Sequence, residues 1–201
     1  MDVGAIYDHF SEIIARIPPE YITNPYNDDV VALPSGIKMV AGASRCAIVD
    51  EAYNWIVKFD IDEHEYCERE CELYQCARNL GIECCFPECA YIGSVDVDGM
   101  CIALYAFQKA KCQYMGRDVS REESLRLTPY KGSPLKERCS SVAADLLRDW
   151  GEEVFARLNQ FCIKFKINDL HSNNVGYIAG KLIIIDFAGY HDSYYDDEEE
   201  L

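Results

Sequence analysis

The apolar residues in the first part of the chain change from helical to strand spacing. Between residues 10 and 17 they recur at positions i, i+3, i+4 and i+7, which predicts a helix over residues 7–17 that ends at Pro18. Short β-rich runs follow, separated by polar turns. These runs predict three antiparallel strands over residues 37–40, 46–49 and 55–59.

A second helix is predicted over residues 64–80, because one face collects residues three and four apart and Gly81 then acts as a stop. The residues on this inner face are Cys67, Glu70, Leu73, Tyr74 and Ala77. Two further apolar runs, residues 90–95 and 100–107, flank the polar turn 96–99. They predict a hairpin that completes a five-stranded antiparallel sheet.

The second half of the chain is expected to be mainly helical. Residues 111–138 are polar and rich in turn formers, so this segment is predicted to be mostly loop with one short helix. An apolar stripe predicts a long helix over residues 136–161, and Gly180 turns a closing hairpin into strand 182–185. The expected fold class is α+β, with one part over residues 1–107 and a smaller helical part over residues 108–201.

Charge narrows the range of partners. The chain has 35 acidic and 19 basic residues and a formal net charge of −16, which repels nucleic acid and anionic membrane surfaces. Part of the charge is an acidic run at residues 196–200, which is expected to be a solvated tail. No apolar stretch approaches the roughly 20 residues of a membrane span. Neither nucleic acid nor a membrane is therefore expected as a partner.

The chain has 11 cysteines, an odd number, and no signal peptide precedes them. Reduced thiols in a cytoplasmic, soluble protein fit this pattern better than a disulfide framework. The densest group, Cys84, Cys85 and Cys89, lacks the spacing and the partner histidines of a structural zinc site. The cysteines of the predicted helix over residues 64–80 are interpreted as packing residues.

The candidate chemistry lies in two short stretches near the end of the chain. Asp169 and Asn174 are five residues apart, and Asp186 follows the apolar run 182–185. Phosphoryl transfer requires a carboxylate near the attacking hydroxyl, oxygen ligands for Mg²⁺ and a cation for the phosphates. Lys58, at the end of a predicted strand, supplies the cation.

This order of motifs resembles the protein kinase superfamily. The spacing of Asp169 and Asn174 is similar to the D-x-x-x-x-N catalytic loop, and Asp186-Phe187 is similar to the metal-binding D-F-G turn. The resemblance implies a two-lobed fold that binds ATP and Mg²⁺, with Asn174 and Asp186 as metal ligands and Asp169 as the catalytic carboxylate.

The same resemblance assigns roles in the first half of the chain. Lys58 corresponds to the lysine that holds the nucleotide phosphates, and Glu70 is its ion-pair partner. Gly42 and Ser44 fall where the superfamily keeps its phosphate-covering loop. The stretch 104–108, with Tyr105 and Phe107, falls where the hinge backbone reads adenine.

Some features depart from the typical protein kinase. The form Asp-Leu-His-x-x-Asn looks more like aminoglycoside and choline kinases, and His171 is interpreted as a scaffold residue. Ile167 and Asn168 replace the usual His-Arg pair. Only 15 residues follow Asp186, which resembles minimal kinases of bacteria and phages, some of them delivered into host cells.

The expected function is therefore a minimal, monomeric protein kinase that phosphorylates a hydroxyl of a protein substrate. Two alternatives stay open. The chain is a small-molecule phosphotransferase if the Asp-Leu-His-x-x-Asn form sets its acceptor. It is a pseudokinase that binds a nucleotide or a partner if the loop at Gly42, which keeps one of the usual three glycines, no longer supports transfer.

Overall fold

The computed structural model describes residues 1–23, 33–42, 44–61 and 65–188. The predicted acidic tail at 196–200, together with His64 and Gly189, lies outside these residues. By their internal contacts, the residues divide into two units, Met1–Arg78 with Pro87–Ala110, and Asn79–Phe86 with Lys111 onward. The class is α+β, with a five-stranded antiparallel sheet in the first unit and a mostly helical second unit.

The first unit begins with two helices and continues as a sheet. The helices are α1 (Val3–Ile14) and α2 (Pro19–Thr23), and the strands are β1 (Ile37–Ala41), β2 (Arg45–Asp50), β3 (Trp55–Asp60), β4 (Cys89–Val97) and β5 (Met100–Gln108). The spatial order of the strands is β1-β2-β3-β5-β4, and all pairs are antiparallel. The predicted five-stranded sheet is confirmed, and β5 is an interior strand.

The leading helix covers a hydrophobic core on the sheet. Ile6, Phe10 and Ile14 of α1 are buried together with residues of β2 and β3. The helix begins four residues earlier than predicted and ends at Ile14, three residues earlier than predicted. Ile17 is buried in the same core beyond the end of the helix.

A glycine in β4 allows α1 to approach the sheet closely. Gly93 has a φ of +144° at an irregularity of the β4–β5 pairing, and a Cβ there would lie 2.7 Å from the Tyr7 ring. The Tyr7 hydroxyl donates to the Ser94 carbonyl oxygen at 2.8 Å. Glycine at this position therefore allows an aromatic ring to pack directly on the strand backbone.

Helix α3 (Tyr66–Asn79) connects β3 to β4. Its buried residues are Cys67, Glu70, Leu73, Tyr74 and Ala77, so the inner face predicted from spacing is confirmed. The N-terminal end is held by the Asp60 carboxylate, which accepts from the Cys67 N–H at 3.1 and 3.3 Å. A short 3₁₀ turn, Glu83–Cys85, follows the helix and belongs to the second unit.

The segment 111–138 is more helical than predicted. It contains α4 (Arg121–Arg126), a 3₁₀ turn at Thr128–Tyr130 and α5 (Pro134–Arg138). Ser120 and Glu123 form a capping box at the start of α4. The three-residue spacing of this motif is a local sequence signal for a helix start. The expectation of one short helix was wrong because the turn formers of this stretch cap and begin short helices.

The long helix α6 (Ser140–Lys164) differs from the predicted helix over 136–161 in two ways. Residues 136–138 belong to α5, so the predicted start was wrong. The helix is also broken at Gly151, whose φ of 78° and ψ of 169° are not helical. None of the helices in the described part of the chain is long and apolar enough to cross a membrane.

The predicted closing hairpin is confirmed. It consists of β6 (Val175–Ile178) and β7 (Lys181–Ile184), an antiparallel pair joined by Ala179 and Gly180. Both turn residues have positive φ, 51° and 79°, as a two-residue hairpin turn requires. β6 is also bridged to Lys111, which exchanges two 3.0 Å backbone hydrogen bonds with Tyr177.

Candidate active site

The first unit brings Lys58 and Glu70 together, as predicted. Lys58 lies in β3 and Glu70 on the inner face of α3, and the Lys58 ammonium donates to Glu70 Oε2 at 2.9 Å. The Glu70 side chain is 0% exposed and that of Lys58 is 13% exposed. A buried charge is costly without a partner, so the Lys58–Glu70 ion pair favours one position of α3 on β3.

Sequence reasoning missed a second cation on the same carboxylate. Arg45, the first residue of β2, places Nη1 3.1 Å from Glu70 Oε1, and its side chain is 17% exposed. The guanidinium carbon also lies 5.4 Å from the centre of the Tyr66 ring. Spacing along the chain gave no signal for this contact, because it depends on β2 pairing beside β3.

The predicted phosphate loop is the short turn between β1 and β2. Gly42 and Ser44 lie in this turn, and Ala43 between them is outside the described residues. The Gly42 N–H donates to the Arg45 carbonyl oxygen at 2.7 Å, and the Ser44 carbonyl oxygen accepts from the Ile61 N–H at 3.0 Å. The Gly42 amide is therefore engaged within the turn itself.

The structure places Tyr105 and Phe107, the two predicted adenine-binding residues, within a strand. Both residues lie inside β5, which pairs with β3 on one side and β4 on the other. The backbone of an interior strand is committed to its neighbours and does not offer its groups to a ligand. Both side chains are buried, and the Phe107 ring lies 4.1 Å from the Lys58 ammonium.

The second unit brings Asp169 and Asn174 together. Asn174 Nδ2 donates to the Asp169 carbonyl oxygen at 2.7 Å and to Asp169 Oδ2 at 3.1 Å. Asn174 is buried, whereas the Asp169 side chain is 34% exposed. The five-residue spacing thus places the amide beside the carboxylate and leaves that carboxylate partly accessible.

A backbone hydrogen bond places Asp186 next to the loop that carries Asp169 and Asn174. The Asn174 carbonyl oxygen accepts from the Ile185 N–H at 2.9 Å, which sets Asp186 one residue beyond this contact. Phe187 is buried, and its ring centre lies 4.7 Å from that of Phe86. The residues on both sides of Asp186 are therefore held, one by a hydrogen bond and one by aromatic packing.

His171 has the scaffold contact that was expected of it. Its Nδ1 accepts from the Asn173 N–H at 3.2 Å, at the start of the 3₁₀ turn Ser172–Asn174. Its Nε2 lies 3.6 Å from Asp169 Oδ1. The ring therefore shapes the turn that presents Asn174 and also lies close to the carboxylate.

A support from α6 was not visible in the sequence. Beside the break at Gly151, Asp149 Oδ2 accepts from the Leu182 N–H at 2.9 Å, and Trp150 Nε1 donates to the Leu182 carbonyl oxygen at 2.7 Å. Both backbone groups of one residue in β7 are satisfied by neighbouring side chains. The strand that leads to Asp186 is thereby fixed to the helix.

A buried carboxylate joins the segment after the sheet to α6. Asp145 Oδ1 lies 2.6 Å from both Arg117 Nη2 and Arg148 Nη1. Asp145 Oδ2 accepts from the Tyr114 hydroxyl at 2.9 Å. Burial raises the pKa of Tyr114 to about 12.

The chain matches no known protein family and no curated protein sequence.

All 11 cysteines are free thiols. Within residues 1–23, 33–42, 44–61 and 65–188, no group of three or more histidine, cysteine or acidic side chains is placed to hold a metal ion. The first unit thus has the cations Lys58 and Arg45 around the buried Glu70. The second unit has Asp169, Asn174 and Asp186 in two adjacent loops.

Proposed function

We propose that the chain is a kinase-fold phosphotransferase that binds ATP with Mg²⁺ and transfers the γ-phosphoryl group to a hydroxyl. The observation that carries the proposal is the fully buried Glu70 carboxylate, which pairs with Lys58 at 2.9 Å. A buried glutamate that holds a strand lysine is the arrangement that prepares a lysine for nucleotide phosphates. Lys58 is the residue proposed to bind them.

The oxygen chemistry of Asn174 and Asp186 fits Mg²⁺. Asn174 Nδ2 donates to two oxygens of Asp169, so Oδ1 is the atom of this amide that can accept a cation. Amide and carboxylate oxygens are the ligands that Mg²⁺ takes. Asn174 and Asp186 would hold the ion, which would neutralise charge on the phosphates.

Asp169 is the residue proposed to orient the acceptor hydroxyl. Its carboxylate is held by Asn174 at 3.1 Å and remains 34% exposed, so an acceptor can reach it from solvent. Catalysis of this kind depends mostly on positioning and on stabilising charge, and it needs no covalent bond to the protein.

A protein hydroxyl is the acceptor class that we propose. The unit that carries Asp169 also exposes large apolar side chains, with Met115 87% and Leu125 64% exposed. Helix α4, which contains Leu125, has no buried residue. Large exposed apolar patches mark surfaces that contact proteins, and these are the side chains of this unit that would contribute to one.

The test is Mg²⁺-dependent transfer of a radiolabelled γ-phosphate from ATP into a cell lysate. Lys58→Met, Asp169→Asn and Asp186→Asn should each lower the labelling at least about 100-fold, because each removes one group that phosphoryl transfer requires. Asp8→Asn, on the exposed face of α1, is the matched control and should label as the wild-type chain does.

The outcomes separate the three functions. Labelled protein bands that are lost in all three variants support a protein kinase. Consumption of ATP only when a small hydroxyl compound is added supports a metabolite kinase instead. Binding of ATP without transfer to protein, to small acceptors or to the chain itself contradicts the proposal and supports a pseudokinase.

A further inference from the structure

Arg45 connects a strand of the first unit to helix α3. Its guanidinium pairs with Glu70 and lies over the ring of Tyr66, the first residue of the helix, at 3.1 Å and 5.4 Å respectively. The residue before it, Ser44, belongs to the turn between β1 and β2. The Arg45 side chain therefore connects the end of this turn to two residues of α3, Tyr66 and Glu70.

The two oxygens of Glu70 have separate cationic partners. Oε2 accepts from Lys58, whereas Oε1 faces Arg45. If Lys58 alone held this buried carboxylate, engagement of the ammonium by another anion would leave Glu70 poorly compensated. The guanidinium of Arg45 compensates the charge of Glu70 from the other oxygen as an ion pair at 3.1 Å, because arginine stays charged.

The charge of Arg45 also acts on the N-terminal anchor of the helix. Asp60 accepts from the Cys67 N–H with both carboxylate oxygens. Burial raises the pKa of Asp60, and the positive charge of Arg45 acts in the opposite direction. The charge of Arg45 therefore acts on both Asp60 and Glu70, which are carboxylates that attach α3 to the sheet.

We propose that Arg45 is a positioning residue that locks α3 against the sheet through Glu70 and so sets Lys58 for the nucleotide. The catalytic part of this inference rests on the proposed phosphotransferase function, whereas the lock itself is a property of the fold. With two strands holding one carboxylate, α3 stays in place without an activating partner. We therefore expect α3 to hold this position constitutively and not to be regulated by its displacement.

The lock is tested by amide hydrogen exchange of residues 67–78 in the full chain without nucleotide. Arg45→Gln should speed exchange along this stretch about tenfold, because the ion pair between Arg45 and Glu70 is lost. Arg45→Lys should give an intermediate rate, since it keeps the positive charge on a smaller head group. Arg78→Gln is the control, because Arg78 is an exposed residue of the same helix that contacts Gln75 at 3.3 Å.

The catalytic part is tested by transfer kinetics on the same variants. Arg45→Gln should lower kcat about tenfold or more with a smaller change in KM for ATP, Arg45→Lys should recover part of it, and Arg78→Gln should leave both unchanged. Unchanged exchange in Arg45→Gln overturns the lock. Faster exchange with unchanged kcat overturns the positioning role. If the wild-type chain transfers no phosphate, the proposed function and the catalytic role fail together, and the exchange rates alone decide the lock.

Discussion

Cys84 and Cys85 are adjacent in the chain and hold their protons with different strength. A hydrogen bond from the Cys85 thiol, with a smaller effect of Lys181, lowers the pKa of Cys84 to about 7. The same hydrogen bond and burial raise the pKa of Cys85. Cys84 is exposed, so its thiolate is available to reagents, whereas Cys85 is buried.

We therefore expect iodoacetamide to label Cys84 ahead of Cys85, with a rate that rises through pH 7 as the thiol ionises. Peptide mass spectrometry after timed labelling at several pH values measures both. Cys85→Ala removes the hydrogen-bond donor and should slow the labelling of Cys84 at pH 7. An identical pH profile in that variant would contradict the assignment of Cys85 as the cause.

The break in α6 is decided by one glycine. At Gly151 the φ of 78° and ψ of 169° place the backbone in a region that L-residues rarely adopt, and no atom lies within 4 Å of an added Cβ. Any cost of a side chain there is backbone strain, not a clash. The break gives Asp149 and Trp150 their hydrogen bonds to Leu182, so the strain acts on the element that supports β7.

Gly151→Ala should lower the free energy of unfolding by about 1–3 kcal/mol, as expected for a residue forced into a sparsely populated conformation. Gly4→Ala in α1 is the matched control, because an added Cβ there comes only within 3.8 Å of Asp2 Oδ1 and no positive φ is required. That change should be neutral or stabilise by about 0.5–1 kcal/mol. Urea unfolding followed by circular dichroism measures both, and equal effects would refute the strain argument.

The whole molecule carries a formal net charge of −16, and like charges destabilise a folded chain by mutual repulsion. Salt screens this repulsion, since the Debye length falls from roughly 30 Å at 0.01 M to about 10 Å at 0.1 M. We therefore expect Tm to rise by a few degrees over that range of NaCl. Differential scanning calorimetry measures the shift.

Sucrose at equal osmolality is the control for this effect, because it changes the solvent without screening charge. A rise in Tm with sucrose as large as that with NaCl would show that repulsion is not the cause. A fall in Tm with NaCl would mean that the screened ion pairs of the chain, such as that of Arg117 with Glu123, outweigh the net repulsion.

The sequence by itself determined the order and type of most elements. Both hairpins and the five strands were predicted, because they depend on local properties of the chain. These properties are the alternation of apolar residues and the turn residues with positive φ, such as Gly99 and Gly180. The inner face of α3 is a local property as well. The pairing of Lys58 with Glu70 was also predicted, and Asp169 and Asn174 were placed in the same loop. Each of these pairs joins neighbouring elements or residues of one loop.

Only the tertiary structure decided the remaining features. Arg45 reaches Glu70 because β2 pairs beside β3, and Tyr105 and Phe107 are interior because β5 lies between β3 and β4. Strand order depends on contacts between distant residues, which leave no periodic trace in the sequence. The break at Gly151 was hidden for a related reason, because the apolar stripe of α6 continues across it and only contacts with β7 make the break visible.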